Sequence, residues 1–165
     1  MKITNSEMHH LKLEVISPST ITVDQEFKIT FKFTNAGSNP FPGMILNIRR
    51  IWANLDANNI HVDRTFAVEK LELKESYETT FSEKPRIDGM LLFYLHGFDP
   101  KALSKSHVEF LRPNNNPLKL GSIFHVIRVQ SSEEKSQNLA NWLTVIALGI
   151  LIIFQLLDWY LQGVL

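Results

Sequence analysis

No cysteine occurs in the 165 residues, so a disulfide framework, a thiol nucleophile and a zinc–thiolate site are all excluded. Glycine is scarce, seven in all, and forms no phosphate-cradling loop, dinucleotide fingerprint or Gly-x-Ser-x-Gly elbow. Neither sign of charge is in surplus. Seventeen Lys and Arg balance seventeen Asp and Glu; all the bases but only sixteen of the acids precede residue 139, which leaves that part of the chain at +1. Such a balance gives no electrostatic footprint for nucleic acid or for an anionic membrane surface. The N-terminal MKITNSEMHHLKLEV has no basic segment followed by an apolar core of roughly 7–15 residues, so export through a signal peptide is not expected.

What the chain does have is one long apolar run. Leu139 to Leu157 contains no charged residue over nineteen positions. At about 1.5 Å of rise per residue, that length matches the roughly 30 Å hydrocarbon layer of a bilayer. Residues 139–161 are therefore predicted to form a transmembrane helix, followed by a short tail at 162–165. Trp142 near one end and Trp159 with Tyr160 at the other suit the headgroup level. Gln155 is the strongly polar side chain between them, and Gly149 belongs with Ala140, Thr144 and Ala147 to a set of small residues that either mark a helix–helix face or simply face lipid. Arg128 and Lys135 flank the helix on its N-terminal side, which by the positive-inside rule places the preceding domain in the cytoplasm.

Ahead of the helix the apolar period is two. Residues 1–10 read as a polar lead-in, residues 11–130 as one domain, and residues 131–138 as a charged linker. Leu11, Leu13 and Val15 alternate with polar residues until Ser17-Pro18-Ser19. Phe27, Ile29, Phe31 and Phe33 alternate with Lys28, Thr30, Lys32 and Thr34, the pattern of a strand with one face buried and one in water. After the turn-rich NAGSNPFPG, Met44, Leu46 and Ile48 resume the period, which slips at Arg49-Arg50. A bulge would explain the slip, while Ile48, Ile51, Trp52 and Leu55 also fit a helix. Asp56 to Asn59 reads as a turn, Ile60 to Val68 as a strand with Arg64 out of pattern, and Leu71 to Phe81 as a further alternating run. Met90 to Leu95, apolar on both faces, predicts a central strand. Asp99-Pro100 has the form of a helix start, and Leu103, His107, Phe110 and Leu111 predict a short helix over 100–111. Ile123 to Val129 gives the last strand. Short strands with turns every roughly 8–12 residues predict a mainly β, immunoglobulin-like antiparallel β-sandwich followed by one C-terminal transmembrane α-helix.

At ITVDQEFKITFKFTNAGS and again at LELKESYETTFSEKPRIDGMLLFYLHG the chain resembles bacterial immunoglobulin-like modules of the cell-adhesion-related (CARDB) type. The Phe-Lys-Ile-Thr-Phe strand ending in Thr34-Asn35-Ala36-Gly37, the polar turn before Tyr77 and the glycine-led penultimate strand carry that resemblance. It implies a binding or spacer module without catalytic residues. Such modules are usually exported, and the predicted helix at 100–111 is not part of the family pattern. The order of parts also resembles tail-anchored adaptors of the major-sperm-protein type, without their basic ligand-reading motif.

The six histidines have no ligand spacing for a metal; His61-x-Asp63 and His96-x-x-Asp99 each offer two ligands and no completing cluster. No cofactor, metal, nucleic acid or small-molecule substrate is expected, and the chain is not expected to be an enzyme. The expected partners are the lipid bilayer and a protein, either a separate partner or the subunits of a membrane complex in which this chain is accessory; the alternative is a subunit contributing to a composite active site. The loops after the Phe27–Thr34 and Met90–Leu95 strands should meet at one end of the sandwich. There Phe41, held between Pro40 and Pro42 and supported by Phe98 and Arg112, is expected either to anchor a partner or to fold back and plug the core.

Overall fold

The computed structural model describes residues 8–53, 60–101 and 105–161. In chain order the strands are β1 (His9–Ile16), β2 (Thr20–Thr22), β3 (Phe27–Asn35), β4 (Met44–Ala53), β5 (Ile60–Val68), β6 (Ser76–Glu83), β7 (Gly89–Pro100), β8 (Val108–Leu111), β9 (Pro117–Leu118) and β10 (Ile123–Gln130); helix α1 spans Ser132–Leu161. The strands make two five-stranded sheets, one in the order β6-β3-β1-β8-β9 and the other β2-β10-β7-β4-β5. The chain divides at residues 129 and 130 into two compact units, the sandwich and the helix.

Strand β3 lies between β6 and β1 in the first sheet. Phe27, Ile29, Phe31 and Phe33 are buried, as the alternation predicts. On the opposite face the neighbours are polar pairs: Thr30 with Thr80 and Thr34 with Ser76, each hydroxyl pair at 2.7 Å, and Lys32 with Glu78 at 2.9 Å. In the second sheet β7 lies between β10 and β4, the central place its apolar run implies. Phe31 joins the two layers. Its ring meets Phe81 of its own sheet and Phe66, Phe93 and Phe124 of the other, with centroids 5.5 to 6.1 Å apart and mostly edge to face.

Several expectations need correction. The stretch around Ile48 to Ala53 is strand, and its period does not slip: Met44, Leu46, Ile48, Arg50 and Trp52 share one face, with Arg50 turned inward. The bulge lies on β7 instead, where the pairing shifts between Asn47 and Ile48 and His96 becomes the extra residue. It reverses the parity of β7, so Leu91, Phe93 and Leu95 are buried before it and Phe98 and Pro100 after it. Arg50 is tolerated inside because Glu83, itself buried, takes an ion pair from it and a second from Arg64 at 2.6 Å. Arg64 is thus in pattern too; its guanidinium lies 4.4 Å over the Phe81 ring.

No helix forms over 100–111 among the described residues. Strand β7 continues to Pro100, a single 3-10 turn covers Lys105–His107, and β8 follows. Val108 and Phe110 are buried with period two, and Phe110 packs edge to face on Phe98 at 5.0 Å, a contact that a strand presents directly. β8 pairs with β1 in parallel, His9 opposite Val108 through Lys12 opposite Leu111, so the first sheet is mixed and not purely antiparallel. The sheet begins at His9, two residues inside the predicted lead-in. The predicted turn at 56–59, Leu55 and Leu103 lie outside the described residues, as do residues 1–7 and 162–165.

The predicted linker is helical. Ser131 caps α1, its hydroxyl accepting from the Glu134 N–H at 3.0 Å and its carbonyl from the Lys135 N–H at 3.1 Å. With Glu134 three residues on, this is the capping-box pattern, and Glu133 and Glu134 complement the helix dipole.

One end of the sandwich is tied by Asn35 and Phe41. Asn35 is fully buried; its amide donates to the carbonyls of Asn39 (2.9 Å), Leu71 and Glu72 (both 3.2 Å), and its Oδ1 accepts from the Gly37 N–H at 3.0 Å. Phe41 exchanges two backbone hydrogen bonds with Leu71, at 2.8 and 2.9 Å, and its ring has no exposure. Gly43 completes the crossing to β4. It has φ of +99°, and a Cβ there would sit 2.8 Å from the Val68 carbonyl oxygen.

Two stability predictions follow from this packing. Phe31→Ala should cost about 3–5 kcal/mol through lost burial and a residual cavity, whereas Lys32→Ala, which removes only a half-exposed ion pair, should leave the thermal midpoint close to wild type. Comparable losses in a denaturation experiment would contradict the assignment of faces. Phe41→Ala should likewise cost about 3–5 kcal/mol as a plug of the core; an unchanged melting temperature would contradict that role.

Candidate functional site

The residues singled out as partner-binding do not converge on a surface. Phe41 and Phe98 are buried, the first edge to face with His9 at 5.9 Å and the second against Phe110. Flanking prolines do not present Phe41 to solvent, because the backbone bonds to Leu71 turn the ring inward. Arg112 is half-buried on the far side of β8, its Nη2 donating to the Ile123 carbonyl at 3.0 Å. The loops of 36–43 and after Pro100 do meet at one end of the sandwich, since the Lys101 N–H donates to the Gly43 carbonyl at 2.9 Å. They meet without an aromatic anchor.

Arg49, Arg50 and His10 are each engaged by a neighbouring side chain. Arg49 holds Asp63 through two hydrogen bonds, at 2.7 and 2.9 Å, and its Nη2 contacts His96 Nε2 at 3.0 Å, so this exposed group carries no free cation for an anion. Arg50 faces the core and Glu83. His10 lies 3.1 Å from Glu109 on the neighbouring strand. Among the described residues no three His, Asp or Glu side chains group as metal ligands. His125 is different: half-buried on β10, its Nε2 lies 2.7 Å from the Ser17 hydroxyl, and burial pushes the imidazole pKa down, which keeps it neutral at pH 7. The described residues place no carboxylate on its other ring nitrogen, so the pair has no third member to orient it.

The two outer faces of the sandwich differ in chemistry. That of the first sheet is polar, with Lys12, Glu14, Lys28, Thr30, Lys32, Glu78 and Thr80 in adjoining rows. That of the second carries an apolar row in register, the cross-strand neighbours Val126, Leu92 and Ile51, and a next row in which Met90 and Ala53 stand beside Arg128. Met90 is 51% exposed and Val126 43%, although both lie within regular strands. The Arg49–Asp63–His96 group and Tyr94 bound this patch on one side. The signal for it is present in the sequence, in the apolar residues on both faces of β7, but it reads equally as a strand covered on both sides.

In the helix no described residue is buried; Trp142, Gln155, Trp159 and Tyr160 are exposed and Gly149 is partly so. The Thr144 hydroxyl donates to the Ala140 carbonyl at 2.9 Å, which satisfies it within its own helix. By length and composition α1 is able to cross a membrane.

No family model and no curated protein matches the chain. Among solved structures it is similar to the CARDB domain of PF1109 from Pyrococcus furiosus in solution, at 20% identity and a TM-score of 0.49, over 74% of this chain and 96% of that one. The crystal structure of that domain in complex with di-metal ions gives 20% identity and a TM-score of 0.46 over 74% and 94%. The putative ApaA protein from Bordetella pertussis gives 16% and 0.44 over 74% and 96%. The chain carries a β-sandwich similar in fold to CARDB domains, followed by a helix long and apolar enough to span a membrane.

Proposed function

We propose that the protein is a non-catalytic, single-pass, tail-anchored membrane protein whose cytoplasmic sandwich binds a protein subunit anchored in the same membrane, as the accessory part of a membrane complex. The observation that carries this reading is the apolar outer face of the second sheet, with Met90 and Val126 exposed in register beside Leu92 and Ile51. A sheet face that stays in water is ordinarily polar, as the first sheet's is, and contiguous apolar surface marks an interaction site. The occupant is taken to be a membrane protein because β10, which contributes Val126, passes into α1 with Ser131 alone between them. At about 3.3 Å per extended residue, that face is leashed within roughly 20 Å of chain from the helix start. Gln155 supports the same reading, since an amide near hydrocarbon gains from a partner on a neighbouring helix. Arg128 and Lys135 on the sandwich side of the helix support a cytoplasmic domain.

A photoreactive residue at position 90 or 126 of the full chain in its native membrane should capture one discrete membrane-integral protein, while the same residue at position 30 or 32 captures none. Capture of soluble proteins only, or equal capture from both faces, would overturn the assignment. Val126→Lys should abolish the adduct formed at position 90 with the melting temperature unchanged.

Orientation is tested separately. Protease added to intact cells should leave the sandwich whole, and degrade it once the membrane is permeabilised; digestion in sealed cells would place the domain on the other side.

A further inference from the structure

Strand β8 covers β1 only from His9 to Lys12. After Leu111 the chain leaves the sheet through a tight turn, with the Arg112 N–H donating to the Asn116 carbonyl at 2.8 Å and Asn115 at φ of +63°, and returns as the two-residue β9. Beyond Lys12, therefore, that edge of β1 has no strand beside it among the described residues. In the opposite sheet β10 is irregular as well: its pairing with β7 shifts between Ile123 and His125, which turns Phe124 toward the core. Where the two irregularities face each other the sandwich gapes into an open cleft of about 340 Å³, walled by Leu13, Val15, Leu118 and Phe124, with Arg112 and His125 at its polar part.

The chemistry of the cleft is that of an apolar pocket with one cation. Arg112 spends one N–H on the Ile123 carbonyl and has no acidic partner among the described residues, so its remaining donors are open to a ligand. His125 is held by the Ser17 hydroxyl and is neutral. One positive charge beside hydrocarbon walls selects a single negative charge on an apolar body, because a guanidinium takes a carboxylate through two parallel hydrogen bonds and strengthens as water is excluded. The volume holds about ten water-sized groups, the scale of a small organic acid.

We propose that this cleft binds a small apolar monocarboxylic acid, its carboxylate on the Arg112 guanidinium and its body between Leu13, Val15, Leu118 and Phe124. The site lies apart from the outer face assigned to a protein partner and does not depend on that assignment.

The probe is phenylacetate, with phenylacetamide as the uncharged match, added to the full chain in phosphatidylcholine nanodiscs with its Leu, Val and Ile methyl groups labelled for NMR. Phenylacetate at millimolar concentration should shift the methyl signals of Leu13, Val15 and Leu118 and leave those of Leu46 and Ile48 in place. The amide, and phenylacetate with Arg112→Gln, should bind about tenfold more weakly or less. Leu118→Trp, which fills the cleft and keeps the arginine, should abolish the shifts. Unshifted cleft methyls, or equal binding by acid and amide, would overturn the proposal, as would undiminished binding to Leu118→Trp. Should Arg112→Gln lose its Leu46 and Ile48 signals through unfolding, the acid–amide comparison on the wild-type chain decides.

Discussion

Five phenylalanine rings meeting between two sheets hold this sandwich together. Phe31 contributes the central ring from β3, and Phe66, Phe81, Phe93 and Phe124 surround it from β5, β6, β7 and β10. Each buries a large apolar area, and edge-to-face contacts add about 0.5–1.5 kcal/mol per pair beyond that burial. In a chain without cysteine, this packing does the work that a cross-sheet disulfide does in other immunoglobulin-like domains. The register of every strand that supplies a ring is thereby constrained, since a one-residue slip would send that ring into water.

That constraint explains where the polar exceptions are placed. Beside the aromatic cluster β5 and β6 are the edge strands of their sheets, and there the inward positions of Arg50 and Arg64 meet the buried carboxylate of Glu83. Two cations on one carboxylate leave the group at +1, with Arg50 Nε buried and unpartnered. Desolvation offsets much of the Coulombic gain in such a group, so its contribution is better read as registry than as stability. Glu83 is satisfied only when β4, β5 and β6 are each in place. The aromatic cluster supplies the energy of the core, and the ion group specifies how its edge closes.

Much of this was legible from the residues, and the failures share a cause. The strand Phe27–Asn35 and the helix over 139–161 were readable because each is strongly periodic or strongly apolar over its whole length, and the central place of β7 followed from its double-faced apolar run. Arg50 broke the reading because its inward position is licensed by a partner thirty-three residues away, which no local period records. Phe41 stayed open between anchor and plug for the same reason: its backbone pairing to Leu71, which turns the ring inward, leaves no mark in the local pattern. The stretch Val108–Leu111 carries only two buried residues, too few to separate a strand from a helical turn, and its pairing with β1 in parallel is a property of topology. Charge alone suggests a linker over 131–138, while the Ser131 cap shows those charges to be suited to the first turn of a helix.

The irregular positions in turn determine which surfaces are open to partners. A sandwich of complete sheets would have a closed side at β8 and β9; here β8 stops after four residues and the chain turns away at Arg112. The shortfall leaves Leu13 and Val15 lining a cleft at one edge, and the shift in β10 carries Phe124 inward to cover part of the gap. On the second sheet the bulge at His96 confines the outward apolar residues of β7 to Met90, Leu92 and Tyr94, and passes the outward face to His96 and Asp99 beyond it. One extra residue thus divides that face into an apolar part and a polar part. The apolar part belongs to the half of the sheet where β7 begins and β10 ends, and β10 is the strand that continues into the helix.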